Sequence, residues 1–145
     1  MKFALLLILV GLVISYSPSA AVNYALTYCR NYNPDYNSYP GVDCANFVSQ
    51  CLIAGGLDFS DCYGRDTKGA IPWVDNLKVC LSKKGWHASS TRPENFKAGY
   101  PFFANNYRHA MLATSVNAGS VTYAAHSSDR CGGAKISSGV TYYYE

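Results

Sequence analysis

Cys44, His109 and His126 are the residues of this chain whose types and placing could do nucleophilic chemistry. Cys44 lies near the start of the run Asp43-Cys44-Ala45-Asn46-Phe47-Val48-Ser49-Gln50-Cys51-Leu52-Ile53-Ala54-Gly55-Gly56. Asp43 reads as a helix N-cap, its carboxylate accepting from the free amides of the next turn. Phe47, Val48, Cys51 and Leu52 then share one helical face, and the glycine pair stops the helix. Cys44 therefore falls in the first turn, where the positive end of the helix dipole favours the thiolate that attacks carbonyls. A disulfide partner or a buried structural cysteine remains the alternative reading for this residue alone.

The histidines lie far downstream, in segments with the composition of strands. His109-Ala110-Met111-Leu112-Ala113-Thr114-Ser115-Val116 is followed by Asn117-Ala118-Gly119-Ser120 and then by Val121-Thr122-Tyr123-Ala124-Ala125-His126. This pattern predicts a hairpin with a four-residue loop. With Val116 opposite Val121, Thr114 faces Tyr123, Leu112 faces Ala125 and Met111 faces His126. His109 and His126 then share a sheet face as diagonal neighbours. A slip of one residue would break that relation. In this arrangement His109 is the general base for Cys44, and His126 bonds the far nitrogen of His109 and orients it. The Cys44 backbone amide would donate to the developing oxyanion. A zinc site made of Cys44, His109 and His126 is the other chemical reading. His87, in a Lys- and Gly-rich stretch, reads as surface.

The elements that must position these groups divide the chain in two. Helices are expected over residues 20–29, with Val22, Ala25, Leu26 and Cys29 inward, then over the Cys44 segment, and then over 73–81 behind Pro72. Strands are expected over 100–104, 109–116, 121–126 and 140–144. Helices first and strands second predict an α+β fold with an antiparallel sheet in a single domain. The loop over 31–41 carries Tyr32, Tyr36 and Tyr39 among turn residues, so these rings can pack and still offer a hydroxyl.

Composition sets the surroundings. Met1-Lys2 and the apolar run over 3–14 have the form of a secretory leader too short to span a bilayer, with small residues favouring cleavage after Ser19, or nearly as well after Ala21. The expected mature domain is 20–145, extracellular, with no membrane segment left. A formal net charge of +3 without a basic cluster gives no support for nucleic-acid binding. Six cysteines behind a leader imply an oxidising compartment. With Cys44 kept as a thiol and Cys51 as the buried mid-helix leftover, Cys29, Cys62, Cys80 and Cys131 supply two bridges, in any of three pairings. No cysteine pair has zinc-finger spacing, and nothing calls for a cofactor.

The Cys44 run resembles the signature D-C-[TA]-N-F-V-S-Q-x-L-x-A-G-G of the putative amidase domain family. Residues 21–28 are similar to that family's leading helix, and Asn33-Pro34-Asp35-Tyr36 to its N-P-x-Y element. Trp73 with Leu77 and Leu81 is similar to its Trp-headed helix, His109-Ala110-Met111 to its histidine strand, and Ala125-His126-Ser127-Ser128-Asp129-Arg130 to its closing element. The resemblance implies a papain-like fold of the NlpC type, in which the cysteine helix packs on the sheet carrying the other catalytic groups. It implies Cys44 as nucleophile, His109 as base and His126 as the orienting residue. Tyr36 is a near-site residue or a packing one, and Asp129 holds its loop or touches substrate. Asn46 and Ser49 are read as packing and capping residues. Gly99-Tyr100 departs from the Gly-Asp of many relatives.

The implied activity is a secreted, monomeric cysteine amidase or endopeptidase acting on bacterial peptidoglycan, with a bacteriolytic role. A hydrolase or transferase of the same fold acting on another amide is the nearest alternative. An inactive wall- or glycan-binding module is a second, and a tyrosine-rich structural protein a third, since the chain has 13 tyrosines. Those tyrosines do not repeat at any period, which argues against the last.

Overall fold

Helix α1 spans Pro18–Tyr28. Ser17 caps it through its hydroxyl on the Ala20 amide, and Pro18 occupies the first turn, where its missing N–H costs nothing. Its buried residues are Ala21 and Ala25, four apart, which lets α1 lie close against its neighbour. Ala25 and Cys29 are buried as the sequence suggests, whereas Leu26 faces out and Val22 is half-buried. The computed structural model describes residues 15–145; the apolar run expected to be a leader falls almost wholly outside them.

Helix α2 spans Cys44–Ala54 and is buried around its whole circumference from Cys44 to Leu52. The polar residues within it each make a hydrogen bond, while Asn46 Oδ1 is left without a partner among the described residues. Ser49 accepts from the Ile71 amide, Gln50 accepts from the Tyr24 hydroxyl, and Asn46 donates to the Asn37 carbonyl. The packing roles expected of Asn46 and Ser49 are the ones seen. Helix α3 spans Val74–Lys83, with Trp73 at its N-cap and exposed.

The sheet has six strands, every pairing antiparallel: β1 (His87–Ser89), β2 (Pro101–Ala104), β3 (Ala110–Val116), β4 (Val121–Ala125), β5 (Arg130–Ile136) and β6 (Val140–Tyr144), in the order β1-β6-β2-β3-β4-β5. The four expected strands are present within a residue or two. The two that the sequence does not announce are the edges. β1 has three residues, and β5 carries a Gly-Gly pair and no buried side chain, so neither shows the apolar alternation of a buried strand.

The β3–β4 hairpin has the expected loop, with Val116 opposite Val121, but Thr114 is an extra residue in β3. Ser115 pairs with Thr122 and Ala113 with Tyr123, so Leu112 faces Ala124 rather than Ala125. Thr114 and Ser115 hydroxyls both meet the Thr122 hydroxyl, at 2.9 and 2.6 Å, which accommodates the bulge. Every pairing beyond it is displaced by one residue, and side chains expected on one face fall on the other.

Two disulfides form among the four expected cysteines, Cys29–Cys131 and Cys62–Cys80. Cys44 and Cys51 are free and buried. The first bridge ties the end of α1 to the start of β5 across 102 residues, and the second ties the loop before α3 to α3.

Candidate active site

Cys44 is the first residue of α2 and lines a cavity of about 540 Å³ together with His109, which immediately precedes β3. The remaining wall comes from four separate segments: Gly41 and Val42 before α2, Pro72 to Val74 at the head of α3, Tyr107 and Arg108 before β3, and Tyr123 with Ser127, Ser128 and Arg130 around β4 and β5. The thiol points towards the Arg108 carbonyl oxygen, 4.0 Å away. Cys44 and His109 thus line one cavity. The His109 ring lies against Tyr107, with centroids 5.8 Å apart.

His126 is elsewhere. Its ring is buried, 1% exposed, and sandwiched between Phe47 and Tyr32 at centroid separations of 3.9 and 3.8 Å. Nδ1 meets Asp43 Oδ2 at 2.5 Å, and Nε2 donates to the Tyr28 carbonyl at 2.8 Å. Both ring nitrogens are committed, so neither is left to orient His109. The bulge at Thr114 is the physical reason: carried past β4, the observed register sets His126 beside Ala110, on the face covered by α2, instead of beside Met111. The same commitment removes His126 from any shared zinc site with Cys44 and His109. Among the described residues no three of His, Cys, Asp and Glu gather as metal ligands.

Asp43 stands at the N-cap position but does not cap its own helix. Its carboxylate instead takes the Tyr39 amide at 2.7 Å, the Asn46 side-chain amide at 2.9 Å and His126. Its backbone amide donates to the Ser127 hydroxyl at 2.8 Å. Drawing Asp43 away leaves the first-turn amides of α2 without a side-chain cap, beside the sulfur. Asp129 accepts from the Tyr32 hydroxyl at 3.2 Å and so steadies the ring that covers His126, a loop-holding role. Tyr36 is half-buried and does not line the cavity.

Burial pushes the Cys44 thiol above its ordinary value. The N–H groups of Ala110, Ala45 and Cys44 itself pull the other way, and the Asp43 charge adds to the rise. Burial also lowers His109. Desolvation therefore outweighs the helix dipole that favours a thiolate. Both shifts favour the uncharged forms, a thiol and an imidazole. An expected result follows for alkylation with iodoacetamide. Cys44 labels ahead of Cys51, which is wholly enclosed, and its rate climbs with pH beyond roughly 8.5, the ordinary thiol value. A rate already at its plateau below pH 7, read by peptide mass mapping, would instead show a preformed thiolate.

The α+β fold sets a cysteine at the first turn of α2 in one cavity with a histidine, and comparison supplies the family. The family model described as a putative amidase domain matches residues 15–100, and the chain belongs to that family. The match holds Tyr36, Asp43 and Cys44 and stops ahead of His109, His126 and Asp129, a shorter span than the resemblance suggests. An uncharacterized protein of Bacillus subtilis (strain 168), YhbB, is 32% identical over 89 residues, 61% of this chain. That alignment takes in 27% of the Bacillus protein, so the chain is similar to one portion of a much longer relative. No solved structure matches the chain.

Sequence reasoning passed over Trp73 and Tyr107 on the cavity rim, and Ser127 and Arg130 within it. What places the last two is the tight segment between β4 and β5, where Ser127 and Ser128 both hold positive φ, at 63° and 132°, a conformation that the sequence does not announce.

Proposed function

We propose that the protein is a secreted cysteine amidase or endopeptidase that cuts amide bonds in the peptides of bacterial cell walls, with a bacteriolytic role. The observation that carries this reading is Cys44 at the uncapped first turn of α2, in one cavity with His109. His109 takes the thiol proton as the sulfur attacks the amide carbonyl and returns it to the departing amine; water then releases the acyl group by the same steps in reverse. The Cys44 amide, and its neighbours in the turn, donate to the oxyanion. A cysteine helix packed on an antiparallel sheet, with the histidine at the head of the adjacent strand, favours a papain-like arrangement of the NlpC type.

Two disulfides favour an oxidising, extracellular setting, and no helix among the described residues is long and apolar enough to cross a membrane. The contacts at the N-terminal end argue for a leader that ends earlier than Ser19. Tyr16 donates to the Gly99 carbonyl at 2.6 Å and meets Trp86 edge-on, the Ser17 amide bonds the Gly55 carbonyl, and the Ser17 hydroxyl caps α1. Cleavage after Ser19 would remove all of these, whereas cleavage between Ser15 and Tyr16 keeps them.

The experiment is digestion of purified wall fragments by protein recovered from the medium of expressing cells. Product masses should show a hydrolysed peptide bond in the stem or cross-link, and the intact mass of the protein should correspond to a start at Tyr16. Unchanged wall fragments of every chemotype, from folded protein, would sink the wall reading. A protein starting at Ala20 would overturn the processing site.

A further inference from the structure

Among the described residues that line the cavity, the charged ones are Arg108 and Arg130, and no aspartate or glutamate is among them. Arg108 is answered by Asp75, at 3.2 Å. The side chain of Arg130, the first residue of β5, forms no ion pair or hydrogen bond among the described residues.

The backbone that carries Arg130 is held more firmly than an edge strand requires. Its neighbour Cys131 is bridged to Cys29. On the other side, Asp129 holds Tyr32, and Ser127 holds the Asp43 amide beside the nucleophile. His126, at the head of the segment, is bonded to both Asp43 and the Tyr28 carbonyl. Ser127 and Ser128 hold left-handed backbone conformations that serine adopts only when its surroundings impose them. Every residue from 126 to 131 except Ser128 and Arg130 is thus tied by its side chain to another element, and these two line the cavity. A pinned backbone bearing an unpaired guanidinium is preorganised for a planar anion, which the fork of donors meets in bidentate fashion.

We propose that Arg130 binds a free carboxylate of the substrate, one placed within a few residues of the amide that Cys44 attacks, so that the site selects acidic peptides. The inference rests on the amide-hydrolase reading and deepens it by naming the substrate class. The size of the cavity, about 540 Å³, limits the spacing: a space roughly 10 Å across holds about three extended residues between one wall and another. Arg108, already paired, contributes field rather than contact.

The test uses two synthetic stem peptides, identical except that the carboxylate within a few residues of the scissile amide is free in one and converted to the carboxamide in the other. Wild-type protein should cleave the carboxylate form with kcat/KM about 10- to 100-fold higher, the range of one charge-assisted hydrogen-bonded pair. In Arg130→Gln the ratio should fall to about one to three, and Arg130→Lys should restore part of it, since the charge returns without the fork. High salt should shrink the wild-type ratio, because the guanidinium is exposed. A wild-type ratio near one, or a ratio that survives Arg130→Gln, overturns the assignment while leaving amide hydrolysis intact. Titration of the same two peptides into Cys44→Ala by calorimetry separates the two readings. Preferential binding of the carboxylate form without turnover by wild type sinks the hydrolase and keeps the Arg130 site. No binding of either peptide at millimolar concentration, or equal binding of both, sinks the Arg130 site.

Discussion

Cys44→Ala is expected to lower amide hydrolysis by about ten-thousand-fold or more, with a melting temperature within a few degrees of wild type. Cys44 and Cys51 are the free thiols, and Cys51 is sealed mid-helix with no exposure at all. A nucleophile has no substitute in this cavity: Ser127 and Ser128 line it too, but no histidine or carboxylate bonds either hydroxyl to activate it. The change removes one sulfur from a residue already opening on the cavity, so little packing is lost. Muropeptide digestion and thermal melting of a single preparation check both halves. Retained digestion would rule out the thiol mechanism, and a collapsed melting temperature would show Cys44 to be a packing residue.

The two histidines should separate cleanly by what their loss does. His109→Ala should reduce kcat/KM by roughly 100- to 10,000-fold, the usual worth of a general base, with little change in melting temperature. Its ring is half-buried and has no hydrogen bond to another element. His126→Ala should destabilise the fold by about 3–5 kcal/mol, because it strands the Asp43 carboxylate in the interior and opens a void between Phe47 and Tyr32. For a domain of this size that is a fall in melting temperature on the order of 10–20 °C. His126→Gln, which keeps donors and some volume, should recover part of it. Activity of His126→Ala per folded molecule should exceed that of His109→Ala, since the base remains in place. A wild-type melting temperature with lost activity in His126→Ala would return this residue to the catalytic dyad as its orienting member.

The buried His126–Asp43 pair gives the adjacency of Asp43 and Cys44 a physical meaning. Asp43 fixes the start of α2 from four directions: the Tyr39 amide, the Asn46 side chain, the His126 ring and, through its own amide, Ser127. Cys44 is the next residue, so its position is set by a network that spans α1, α2 and the β4–β5 turn. The departure at Gly99-Tyr100 is likewise absorbed structurally. Gly99 sits against the backbone of Pro18, where a Cβ would fall 2.4 Å from a carbonyl oxygen, and the Tyr100 hydroxyl donates to Glu145 at 3.0 Å.

What the sequence determined by itself is local. The Cys44 helix follows from apolar spacing and a glycine stop within a few residues, and so do α3 behind Pro72 and the four central strands, because each is decided by near neighbours. The cysteines sort correctly into four bridged and two free by the same kind of reasoning, from position on a helix face. The tertiary structure decided what depends on distant partners. Which cysteines pair is set by chain closure over 102 residues, and β5 becomes a strand only because β4 offers it an edge. The placing of His126 turns on a single bulged residue, Thr114, held by hydroxyls from two strands; since side chains alternate every residue along a strand, that one insertion moved His126 from the neighbourhood of His109 to the carboxylate of Asp43.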